Sequence, residues 1–284
     1  MKVAVTGASG FVGARVCDLL RARGHAVVTM GRSSGERRWD PMAGPAPLQG
    51  TDAVVHLAGE PVAAGRWSDE KMRRIRESRV TGTRNVVAGM KAAGARVLVC
   101  ASATGYYGDR GEEELTEDSP PGADFLAGVC REWEAEAAQS GGRTVSIRIG
   151  IALGAEGGAL NRMLLPFKLG LGGRLGHGRQ WMSWIHVDDL AALIVHALET
   201  ESLSGPLLGT SPVPVTNADF TRALGRALGR WTFLPMPAWQ VRLLFGKVAD
   251  VLLGSQRCRP ARTLAGGFSF RHPDLGAALK HLLS

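Results

Sequence analysis

Short apolar runs alternate with helix-period stretches through the first half of the chain. KVAVTG (2–7), HAVVTMG (25–31), DAVVHLAG (52–59), RVLVCAS (96–102) and TVSIRIGIALG (144–154) are short runs rich in apolar residues and read as strands covered on both faces. Between the first two lies FVGARVCDLLRARG (11–24), with Val12, Val16, Leu19 and Leu20 on one helical face and Gly24 as a stop signal. Further helical stretches cover about 69–93 and roughly 124–140. This order predicts an α/β fold, a doubly wound parallel sheet with right-handed crossovers.

The second half is less regular. DDLAALIVHAL (188–198) and TNADFTRALGRALG (216–229) read as amphipathic helices, the latter with Asn217 as its expected N-cap. LPMPAW (234–239) breaks the chain before a helix reaching about Leu253, and FSF (268–270) precedes a last helix from Asp274. The expected division is a nucleotide-binding core over 1–154, to which about 187–212 returns, and a small α+β substrate-side region over 155–284.

Composition excludes more than it selects. Hydrophobic residues make up 45% and charged ones 21%, ordinary for a globular protein. No membrane span or signal peptide is legible, so a cytoplasmic protein is expected. Cys17, Cys100, Cys130 and Cys258 have no paired spacing, and no HxxxH or HExxH occurs, so neither disulfides nor a metal site is expected. The formal charge of +8 raises the question of nucleic acid. Its basic residues are dispersed, however, apart from RRIRESR (73–79), which reads as a solvated helix face. Expected partners are a small-molecule substrate, neither nucleic acid nor membrane, in a monomer or homodimer.

TGASGFVG (6–13) carries Gly7, Gly10 and Gly13 between a strand and a helix. Glycines there let the backbone turn tightly against a pyrophosphate, and the helix N-terminus supplies N–H donors and a positive dipole end. Ser9, Phe11 and Val12 belong to the same turn. No Lys-Ser/Thr follows Gly13, which excludes a P-loop. The second strand ends in MGRSSGER, placing Arg32 where an NAD site has an acid. A guanidinium there, with Ser33 or Ser34, suits a 2′-phosphate, so NADP(H) is the expected cofactor.

With these residues the chain resembles the short-chain dehydrogenase/reductase superfamily, extended or atypical type. TGASGFVG, DAVVHLAG, VTGTRNVV, SIRIGIALG and WIHVDDLA follow that group's landmarks over nearly the whole length. More narrowly it is similar to an epimerase-family subgroup with a C-terminal domain of unknown function. RWD (38–40), HLAGEPV (56–62), SRVTGT (78–83), GYYG (105–108), LLPFKLGLGG (164–173) and RTLAGGFSF (262–270) carry that likeness.

The resemblance implies a Rossmann fold and further cofactor contacts. These are Leu57, Ala58 and Gly59 over the adenosine side, Arg79 near the phosphate or ribose, and Asp40 at the adenine edge or in a turn. Arg148 begins a segment whose Gly150, Ile151 and Ala152 flank the nicotinamide. It also implies a Tyr-x-x-x-Lys pair that this chain lacks. Matching Glu134 to the superfamily's glutamate puts Leu126 and Cys130 at the tyrosine and lysine positions. Of the usual constellation Ser102 remains.

Tyr106 and Tyr107, the only tyrosines, keep three readings open. They shape the cofactor cleft, or Tyr107 acts with Ser102 on substrate, or Tyr106 packs in the core. On the substrate side, Arg162, Lys168, Arg174, His177 and Arg179 offer charge to an anionic ligand, with Trp181, Met182 and Trp184 as an apolar wall. The implied function is an NADP-dependent oxidoreductase or epimerase with a non-standard active site. Its rival is a catalytically lapsed NADP(H)-binding regulator.

Overall fold

A computed structural model describes all 284 residues. In chain order the elements of the first half are β1 (Lys2–Thr6), α1 (Phe11–Ala22), β2 (Ala26–Gly31), β3 (Arg37–Arg38), β4 (Ala53–His56), α2 (Asp69–Ala93), β5 (Val97–Ala103), β6 (Glu114–Leu115), α3 (Phe125–Ala138) and β7 (Arg143–Ile149). There follow β8 (Ile151–Leu153), α4 (Gly158–Lys168), β9 (Trp181–Met182), β10 (Trp184–His186), α5 (Val187–Glu199), β11 (Gly205–Gly209), β12 (Val215–Thr216) and α6 (Asn217–Leu228). The chain closes with α7 (Ala238–Phe245), α8 (Ala249–Leu253), β13 (Arg257–Cys258), α9 (Ala261–Ala265) and α10 (Leu275–Leu283).

Seven strands form one parallel sheet in the order β11-β7-β5-β4-β1-β2-β3. The order reverses between β1 and β4, and a ligand crevice opens above the carboxyl ends of strands at such a switch point. Alternation divides each strand between two cores. Val3, Val5, Val55, Val99, Val145 and Ile147 face α1 and α5. Ala4, Val54, Leu98 and Cys100 face the α2–α3 side with Val86, Met90 and Trp133. By the same parity, His56, Ser102 and Arg148 point toward α2 and α3, because parallel partners such as Ser102 and Arg148 share a face. A third core joins Leu160, Trp184, Phe220, Leu224 and Leu279 from α4, β10, α6 and α10. The carboxyl-terminal region thus has its own apolar interior, while α5 and β11 lie on the main sheet.

Local chemistry sets the helix ends. Ser68 and Asp124 cap α2 and α3 through the N–H of Lys71 and of Ala127, and α2 stops at Gly94, whose φ of 74° is left-handed. Thr216, not Asn217, caps α6. Asn217 is instead buried in the first turn, where its Oδ1 accepts from Leu175 N–H. All four cysteines are buried free thiols.

Candidate active site

The turn after β1 is closed by backbone contacts that only glycine permits. Gly7 has φ +69°, and a Cβ there would lie 2.9 Å from the Leu57–Ala58 peptide. A Cβ on Gly13 would lie 2.1 Å from the Gly7 carbonyl oxygen. Helix α1 has no side-chain cap at Gly10, and the N–H groups of Phe11, Val12 and Gly13 find no partner in the protein. Three convergent orphan donors at a helix N-terminus are what a pyrophosphate binds, so these residues fit a dinucleotide. The Phe11 ring is pinned under the turn after β8, close enough to exclude a side chain at Gly154 and Gly157.

Around this cradle stand the other expected contacts. Arg32 and Ser33 are exposed and make no side-chain bond within the protein. Leu57, Ala58 and Gly59 follow β4 directly, and Thr6 Oγ1 accepts from the N–H groups of Leu57 and Ala58 at 3.2 and 3.3 Å. Thr6 therefore donates to His56 Nδ1, 2.6 Å away, which ties this wholly buried imidazole to the strand ends. Its Nε2 has no partner. Burial, with the Arg79 charge added, lowers the His56 pKa to about 4.

Arg79 lies beneath this loop, and a Cβ on Gly59 would come within 3.4 Å of its guanidinium. Its Nη1 donates to the carbonyls of Glu60 and Ile75, and its charge sits 5.1 Å from the Trp133 ring centroid. Its Nε and Nη2 make no hydrogen bond within the protein. Asp40 takes the turn role, its Oδ1 accepting from Met42 N–H. Ile151 and Ala152, in β8, are half-buried beside β10.

The structure corrects two expectations at the end of β5. Tyr107 is fully buried; its hydroxyl donates to the Thr116 carbonyl and accepts from Arg148 Nη1 at 2.8 Å. Burial pushes its pKa upward, so the phenol neither reaches a substrate nor titrates near neutrality. Arg148, expected as a cofactor contact, is 3% exposed and spends its side chain within the protein. Its Nε and Nη2 each donate to Glu134 at 2.9 Å, and Nη1 also reaches the Glu117 carbonyl. Tyr106 is half-buried with its ring centroid 3.5 Å from the Arg148 guanidinium.

What Arg148 organises is Glu134, and Glu134 accepts a 2.6 Å hydrogen bond from Ser102 Oγ. The register of α3 agrees with the matched pattern. Leu126 lies against Gly105, and Cys130 lies close to Ser102 and Ala103. Cys130 is no substitute for a lysine or a nucleophile, because burial pushes its thiol up to about 12. Ser102 and Glu134, joined by that hydrogen bond, are the polar pair that remains at this strand end.

Several side chains on the substrate side have structural duties. Met182 and Trp184 belong to the third core and form no wall. Trp181 donates to Glu112 at 2.6 Å, and Arg162 donates to the Ala63 carbonyl. Asp189, at 1% exposure, accepts the N–H groups of Arg271 and His272 and so pins the chain before α10 to the main sheet. Glu117 does the same for α9 by accepting from Arg262 and Thr263.

One consequence invisible in the sequence is a cluster of His186, Asp188, His272 and His281, with potential donor atoms within 4.8 Å of one another. Of the three imidazoles, His186 has both ring nitrogens engaged. His186 Nδ1 accepts from Asp188 N–H, its Nε2 lies 3.1 Å from His281 Nδ1, and its ring stacks on His272 at 4.0 Å. A metal at His186 Nε2 would have to displace these bonds.

A switch-point crevice, a glycine turn that leaves helix donors free and a Ser–Glu pair at the next strand end define a nucleotide-binding α/β protein of the short-chain dehydrogenase type. The chain belongs to the NAD dependent epimerase/dehydratase family, whose model matches residues 3–206; a domain of unknown function, DUF1731, matches 236–282. It is 42% identical over 288 residues to the epimerase family protein Mb2239 of Mycobacterium bovis, covering 98% of this chain and 96% of that protein. The crystal structure of human epimerase family protein SDR39U1 (isoform 2) with NADPH superposes with a TM-score of 0.93 at 39% identity, over 100% of this chain and 99% of that one. A nucleoside-diphosphate sugar epimerase from Corynebacterium glutamicum gives 0.81 at 37% identity, over all of this chain and 58% of that longer one.

Proposed function

We propose that the protein binds NADP(H) and acts as an oxidoreductase or epimerase in which Ser102 and Glu134 handle the proton that a tyrosine and lysine handle elsewhere. The reading rests on the 2.6 Å bond from Ser102 Oγ to Glu134 Oε1, at the carboxyl end of β5, beside the positions taken by Leu126 and Cys130. The free Arg32 guanidinium and the NADPH of the human relative's structure support the phosphorylated cofactor.

When bound, the nicotinamide supplies or accepts hydride. Ser102, 3% exposed at the carboxyl end of β5, gives its own proton to Glu134, so its remaining lone pairs are what a substrate hydroxyl entering at that strand end would meet. On oxidation of a secondary alcohol, the substrate proton passes to Ser102 Oγ as the serine proton passes to Glu134 Oε1. Arg148, through two bonds to that carboxylate, fixes the acceptor in line with the serine. The same path in reverse delivers a proton to a carbonyl. An epimerase needs both directions at one carbon, and the name shared by the relatives fits that use.

The test is to supply NADP⁺ with a panel of secondary alcohols and nucleotide sugars, and NADPH with the matching carbonyls. Turnover that collapses in Ser102→Ala while NADPH affinity holds supports the relay. Tight NADPH binding without turnover on either panel refutes it and favours a cofactor-holding regulator.

A further inference from the structure

Charge and exposed apolar surface are concentrated in two stretches of this chain. Residues 157–187 carry Arg162, Lys168, Arg174 and Arg179 without an acidic residue; residues 220–249 carry Arg222, Arg226, Arg230, Arg242 and Lys247, again without one. Of 34 basic residues, the other 25 nearly balance the 26 acidic ones, so these nine account for the whole net charge of +8. Elsewhere eight of fourteen exposed arginines are ion-paired, whereas Lys168, Arg174, Arg179, Arg226, Arg230 and Arg242 are exposed and pair with nothing.

The same stretches hold ten of the protein's fifteen exposed large hydrophobic residues, among them Leu165 and Leu169 of α4, Trp231, Phe233, and Trp239 and Leu243 of α7. Trp231 is 84% exposed and Phe233 72%. Helix α7 reads AWQVRLLF and buries only Val241, a poor state for so apolar a helix in water. The two stretches are knit together. Met236 N–H donates to the Arg174 carbonyl and Gly176 N–H to the Met236 carbonyl, at 2.9 and 2.8 Å. The Leu234 carbonyl packs against Gly173.

From typical side-chain areas, the ten exposed residues together present roughly 1,000 Å² of apolar surface. That is too broad for a small ligand. A second copy meets it badly, since a two-fold contact opposes the same unpaired cations. Nucleic acid would use the aromatic rings but has no use for exposed leucines. Tryptophan, phenylalanine and leucine among unpaired arginines match the chemistry of the boundary between anionic headgroups and acyl chains.

We propose that this face, built from α4, the segments 169–176 and 230–237, and α7, docks the protein peripherally on an anionic lipid bilayer. This departs from the expectation of no membrane partner drawn from the sequence; no helix is long and apolar enough to cross a membrane, and peripheral docking needs none. The aromatic and leucine side chains enter the headgroup boundary while the arginines hold lipid phosphates.

Full-length protein sedimented with vesicles of phosphatidylcholine alone, or with about a third phosphatidylglycerol, gives the test. Binding to the anionic vesicles only is expected, weakening at least tenfold in high salt and in Arg230→Glu/Arg242→Glu. Trp239→Ala/Leu243→Ala should weaken it comparably while melting temperature and NADPH affinity stay unchanged. Trp231 and Trp239 fluorescence should shift to the blue on binding. Failure to bind anionic vesicles overturns the proposal. So does a lipid-free dimer that either double variant converts to monomer, or binding to single-stranded nucleic acid that the anionic vesicles do not compete away.

Discussion

Replacing Arg32 with alanine isolates one interaction more cleanly than any other change at the crevice. The side chain is exposed and makes no hydrogen bond or ion pair. Its one electrostatic trace is a minor contribution to the lowered pKa of Glu60, behind the Lys71 hydrogen bond that dominates there. The folded protein therefore loses almost nothing, within about 0.5 kcal/mol, and the melting temperature should hold to within about 2 °C. The bound state loses a charge-assisted, potentially bidentate contact to the 2′-phosphate, which is typically worth about 1.5–3 kcal/mol. That corresponds to a roughly 10- to 150-fold weaker NADPH complex. NADH has no phosphate at that position and should bind the variant and the parent alike. Titration of both cofactors by calorimetry, at two salt concentrations, measures the effect, because an exposed charge pair is screened. Unchanged NADPH affinity, or an equal loss for both cofactors, would refute the assignment of Arg32.

Tyr107→Phe removes a hydroxyl bonded to Thr116 and Arg148, so it should cost about 1–3 kcal/mol in urea unfolding and leave turnover intact. Lost turnover with unchanged stability would return the phenol to the active site. Gly13→Ala forces a methyl to 2.1 Å from the Gly7 oxygen, so helix and turn must separate. Stability should fall by about 1–3 kcal/mol and NADPH affinity by about 100-fold, and a crystal structure with the turn unmoved would contradict this. His56 and His186 are both wholly buried with pKa values lowered to about 4, chiefly by burial, helped by Arg79 at His56 and by His272 at His186. Unfolded they titrate near 6.5, so between about pH 6.5 and 4 the unfolded chain binds protons that the folded one refuses. Stability is complete above that window and falls as pH drops through it, by roughly 3 kcal/mol per histidine. A urea midpoint that stays flat from about pH 7 to 4 would show that neither imidazole is held neutral.

The glycine turn, the run of strands and helices and the place of Arg32 were legible because each is local: spacing, a missing side chain or a strand end announces it. A Cβ on Gly13 would meet the Gly7 oxygen within one turn, a local requirement, whereas the Leu57–Ala58 peptide that crowds Gly7 comes from the tertiary structure. The Ser102–Glu134–Arg148–Tyr107 network was not legible. Its members come from β5, α3, β7 and the turn after β5, and only the parallel register of Ser102 with Arg148 puts them on one face. Glu134 was visible in the sequence only as a marker of register. The histidine cluster escaped for the same reason, since it gathers from β10, α10 and the segment between α9 and α10.

By itself, then, the chain determined what its neighbouring residues can do together: a turn that leaves donors free, helices that begin and end at particular side chains, and an absent Tyr–Lys pair. Only the tertiary structure decided which polar groups are left without a partner and which are consumed in the interior. Burial and strand pairing set both the partner and the protonation of Tyr107 and Arg148, and both depend on residues dozens of positions away.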